Sequence, residues 1–170
     1  MAGLINSSTQ KVSDPLLKKI EAGIEAKVPP ELKKEYLKVI VSGMKIMYDE
    51  KTSEQMIKMI NEGNDVTGNI ARGIALLVGM IYQQSGKKMS IPAGCMAAIV
   101  LMTQALEFAS KTKGIEITPD LVAECTQKTS RAVMAKFGIG QEQIDMATKA
   151  GQAKQGGQPT DQPAQPQVGA

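Results

Sequence analysis

The chain has 170 residues, of which 22% are charged, 42% apolar and only 3% aromatic, with no Trp and no His. The lack of histidine excludes Ser-His-Asp and Cys-His catalysis, His-ligated metals and a histidine pH switch. The net charge of +3 is spread evenly, so no segment reads as a basic arm or an acidic tail.

Charge density is more informative than net charge. The 46 residues from 65 to 110 hold only five charges, about half the density of the whole chain, which marks the part most protected from water. The N-terminus has no basic stretch leading into an apolar run, so no signal peptide is expected.

Residues 1–12 read as a polar N-terminal segment, followed by amphipathic helices over 13–64. Ser13 or Asp14 is expected to cap the first helix, with Pro15 in its first turn. Leu17, Ile20, Ile24 and Val28 form its apolar face, and Pro29-Pro30 stops it. Pro30 opens a second helix, predicted to about Asp49, that places Leu32, Tyr36, Val39, Ile40, Gly43 and Met47 on one face. Thr52 and Gln55 read as a capping box before a short helix burying Met56, Met59 and Ile60.

The segment 65–110 reads as an apolar hairpin rich in Ala, Gly and Met. Asp65 caps a helix over 66–82, and Ser90 caps another running to about Ser110. The short polar loop 83–89 between them predicts an antiparallel pair. Residues 111–150 supply the C-terminal helices. One is announced by Thr118-Pro119-Asp120 and ended by Gly138, with Val122, Cys125, Thr129, Val133 and Phe137 as its apolar stripe; a short helix over 141–149 follows. The tail 151–170 holds six Gln, four Gly and three Pro and cannot bury enough surface to offset its own ordering. The expected fold is therefore an all-α bundle of about five to seven helices with a low-complexity C-terminal tail.

Cys95 and Cys125 lie outside any CxxC and read as small buried thiols. No catalytic, cofactor-binding or metal-ligating constellation is present, so the chain is expected not to be an enzyme. Gly68-Asn-Ile-Ala-Arg-Gly lacks the Lys-Ser/Thr of a phosphate loop. The basic stripe of Lys33, Lys34, Lys38 and Lys45 is interleaved with Glu31 and Glu35, and the only arginines are Arg72 and Arg131. Specific nucleic-acid binding is not expected.

Small residues carry the next expectation. Ala71, Ala75 and Gly79 recur every four residues, as do Ala93 with Ala97 and Gly94 with Ala98. Such faces let helices approach closely, in lipid or within a bundle in water, and are assigned to helix–helix or oligomer contacts. Asp65, Asn69, Arg72 and Gln83 share another face of the same helix, which meets either solvent or the wet lumen of an oligomer. Against the seven Val, Leu and Ile of 66–82, Arg72 costs roughly 2.5–3.5 kcal/mol on an insertion scale, so a lone helix would not insert well. Membrane insertion is thus expected only conditionally, as part of an oligomer.

The His-free, Ala/Gly/Met-rich hairpin at 65–110 and the Gln/Pro/Gly tail together resemble the small internal, or ejection, virion structural proteins of short-tailed bacteriophages. The resemblance is one of composition and carries over no functional residue. It implies a non-enzymatic, self-assembling helical structural protein that forms a ring or tube with copies of itself and other virion proteins. It also implies residence in the virion or the producing cell's cytoplasm, and entry into the host envelope during DNA delivery. The alternative is a monomeric helical adaptor that binds a partner helix through Met-rich grooves.

Overall fold

A computed structural model describes residues 12–140, 142 and 143, and among these all regular structure is helical. The expected all-α bundle is what forms. The tail 151–170 and most of the helix expected over 141–149 lie outside the described residues.

The first helix, α1 (Pro15–Glu25), is capped by Asp14, whose carboxylate accepts from the Leu16 and Leu17 amides at 2.8 and 3.1 Å. Pro29 holds extended angles, as a residue before proline must, and Pro30–Leu32 forms a 3-10 turn leading into α2 (Lys33–Met47). The capping box expected at Thr52 and Gln55 is not the start of the third helix. Asp49 caps α3 (Glu50–Asn61) instead, accepting from the Lys51 amide at 2.9 Å. The Thr52 hydroxyl donates to the Ile46 carbonyl and so serves the end of α2. Ile60 is buried and Met59 half-buried, while the side chain of Met56 lies outside the described residues.

Asp65 caps α4 (Val66–Gln84) and Ser90 caps α5 (Ile91–Lys113), as the sequence predicts. Both helices run about a turn or less beyond their expected ends. The loop between them turns through Gly86 and Lys87, which both take left-handed angles (φ +66° and +61°). Gly114, also left-handed, ends α5. Thr118 caps α6 (Pro119–Lys136), on which Val122, Cys125, Thr129 and Val133 are buried.

The antiparallel pair α4 and α5 lies at the centre, and α5 is its more enclosed member. Its buried residues run all round it, the pattern of a helix enclosed by others, and α1, α2, α4 and α6 pack on it. The most extensive neighbour of α4 is α6, not α5. Tyr82 meets Phe137 edge-on there, with ring centroids 5.0 Å apart. Among the described residues α5 is the one helix long and apolar enough to cross a membrane, and 72% of its most apolar stretch is buried within the protein. Helix α3 closes the remaining side against α4 and α2.

Candidate functional site

Of the small residues singled out in the sequence all but Gly79 are buried, and the two glycines, Gly79 and Gly94, face α6 and the Phe137 that follows it. Ala71 and Ala75 on α4, and Ala93, Ala97 and Ala98 on α5, are almost wholly buried. Gly94 faces Phe137: a β-carbon there would stand 2.7 Å from the ring and 3.0 Å from the Met89 methyl. Gly79 faces α6, where the aliphatic stem of Lys136 lies at an ordinary 3.6 Å.

The four polar residues expected to share one open face are divided. Asp65, Arg72 and Gln83 are exposed, but Asn69 is only 3% exposed. Its amide donates to the Glu62 carbonyl just past α3, and its oxygen accepts from the Arg72 guanidinium at 3.2 Å. Packing of α3 against α4 is what covers it, and that tertiary contact leaves no trace in the helical periodicity of 66–82.

Asp65 belongs to a surface network that joins the start of α4 to α6. Lys128 Nζ lies 2.9 Å from Asp65 and 2.8 Å from Glu124, and it donates to the Thr67 hydroxyl, which donates in turn to Glu124. The Lys128 hydrogen bonds lower the pKa of Asp65 and of Glu124, and the two carboxylates raise that of Lys128. These groups are solvated, and exposed ion pairs add little to stability.

A polar seam interrupts the long apolar helix α5. Thr103, Gln104 and Glu107 of α5 are all buried. Glu21 of α1 accepts from the Thr103 hydroxyl at 2.7 Å and from the Gln104 amide at 2.9 Å. Glu107 accepts from both the backbone N–H (2.6 Å) and the hydroxyl of Ser13, and it pairs with Lys111 at 3.3 Å. Burial pushes the Glu107 carboxyl up, but Ser13 and Lys111 outweigh it and hold the pKa below the usual value. Burial, with Glu107 and Glu21 nearby, pushes the Tyr48 hydroxyl up. The seam suits fastening α1 to α5: the Glu107 carboxylate is held ionised by Ser13 and Lys111, not poised to move a proton. The clue in the sequence was the grouping of Thr103, Gln104 and Glu107 at i, i+1 and i+4, one polar face on an otherwise apolar helix.

Neither thiol is primed for nucleophilic chemistry. Burial pushes Cys125 up to about 12 and raises Cys95 as well. Among the described residues no group of three or more Cys, Asp or Glu converges as a metal ion requires.

The surface carries several large apolar side chains. Leu37 and Val41 on α2 are 42% and 53% exposed, and Leu76 and Met80 on α4 are 40% and 47% exposed. Each pair is spaced by one helical turn, so each makes an apolar ridge. The two helices that bear them pack against one another. Comparison with family models, with curated proteins and with solved structures finds no match to this chain.

Proposed function

We propose that the protein is a non-enzymatic structural protein that assembles with copies of itself. The observation that carries this reading is the pair of exposed ridges, Leu37–Val41 and Leu76–Met80, on neighbouring helices. Single exposed apolar residues are ordinary, whereas contiguous apolar surface marks contact sites, and each ridge joins two such residues across one helical turn.

The finer form of the proposal is a virion component that builds a ring or tube, of the kind used in phage DNA ejection; its support is the compositional resemblance alone. Conditional entry of 65–110 into a host envelope belongs to the same proposal. It requires α5 to leave the centre of the bundle, since most of its apolar surface is already buried there. Mass measurement by light scattering across a range of concentrations tests the reading. A defined multimer is expected, and the alternative, a monomeric adaptor, gives 18.1 kDa throughout. Electron microscopy of the assembled fraction then tests for a ring or tube.

A further inference from the structure

Helix α1 is joined to the rest of the protein differently from the other helices. Its principal neighbour is α5. Leu17 is its one fully buried side chain, Leu16, Ile20 and Ile24 pack half-buried against the same core, and a polar seam is added to these, with Ser13 on Glu107 and Glu21 on Thr103 and Gln104. A short turn beyond it, closed by the Lys27 amide on the Ile24 carbonyl at 2.9 Å, leads into the extended Pro29 and then Pro30. The prolines prevent α1 and α2 from fusing into one helix and leave α1 as a separate arm on a short hinge.

We infer that α1 is an exchangeable arm: in the assembly, the α1 of one copy seats on the α5 of a second copy through the same seam. This rests on the self-assembly reading. The groove is specific for α1 because it asks for a carboxylate opposite Thr103 and Gln104 and a paired N–H and O–H opposite Glu107. A large apolar side chain must sit between them. Glu21, Ser13 and Leu17 meet those demands, and every copy carries them. Exchange of an identical element keeps every contact of the closed form, so it proceeds without designing a new interface, and the high local concentration within an assembly favours it.

Two full-length proteins test the exchange, both with Cys95→Ala and Cys125→Ala. One carries Ser13→Cys, just ahead of α1, and the other Lys111→Cys, on α5; both of these side chains reach Glu107. They are mixed, allowed to assemble, and treated with a short bismaleimide, while a third protein carrying both new cysteines reports closure within one chain. The inference expects a cross-link joining the two different chains in the mixture. If the multimer forms but only the doubly substituted chain cross-links, and only within itself, exchange is wrong while self-assembly stands. If light scattering finds only monomer, self-assembly fails first and the exchange falls with it.

Discussion

Leu101 of α5 occupies the space where a β-carbon would stand at Gly43 of α2. A β-carbon built there would lie 2.5 Å from one Leu101 methyl and 2.7 Å from the other. Leu101 is completely buried, so it has no room to withdraw. Gly43→Ala is therefore expected to destabilise the protein, because overpacking costs about 1–3 kcal/mol and the gain in helix propensity is about 1 kcal/mol. Gly23 on α1 is the control: nothing lies within 4 Å of its missing β-carbon, so Gly23→Ala is expected to stabilise by up to about 1 kcal/mol. Chemical denaturation of the two variants beside the parent checks both signs. An equal rise in stability for both would remove Leu101 from the contact.

That pair also marks how far the sequence could be read. The buried face of α2, with Gly43 on it, follows from helical spacing, as do the caps at Asp14, Asp65, Ser90 and Thr118, because each rests on local chemistry. Which helix fills the gap at Gly43 depends on how distant segments meet, and periodicity is silent on that. The same limit hid the burial of Asn69 under α3 and the α1–α5 seam, whose partners are 82 to 94 positions apart. The start of α3 differs from the expected one for a local reason: Asp49 and Thr52 both fit a cap, and the Ile46 carbonyl recruits Thr52.

Thr129 sits fully buried on α6, and among the described residues the one polar group beside its hydroxyl is the Cys125 thiol one turn away, which is outside good hydrogen-bond geometry. A buried hydroxyl met only by a thiol is costly, and valine has nearly the same shape. Thr129→Val is expected to raise stability by about 1 kcal/mol. Thermal melts of parent and variant check this; a fall in melting temperature would mean that the hydroxyl is satisfied after all.

Glu107 gives the α1–α5 contact an acid limit. Its folded pKa lies below the ordinary 4.5, so its stabilising contribution is fully present above that value and is lost as pH falls through the lower folded pKa. Glu107→Gln keeps an acceptor for Ser13 but removes the charge, at an expected cost of about 1 kcal/mol at neutral pH. Melting temperatures from pH 7 down to pH 3 should show the gap between parent and variant closing below about pH 4. A gap of constant size would mean that the Glu107 charge contributes nothing.

The buried thiols predict a reactivity order. With its pKa near 12 and no exposed surface, Cys125 is expected to resist a thiol reagent at pH 8 until the protein unfolds. Cys95, half-buried, should react first and slowly. Rapid modification of Cys125 in the folded protein would show that α6 opens readily from the bundle.

The central claim is that the ridges on α2 and α4 hold copies together, and sedimentation equilibrium of the parent beside a Val41→Lys, Leu76→Lys variant tests it most directly. Both sites are exposed, so the variant should keep its helical content by circular dichroism. The parent is predicted to sediment as a defined multimer and the variant as an 18.1 kDa monomer. A parent that stays monomeric at every concentration, or a variant that assembles as well as the parent, would contradict the claim.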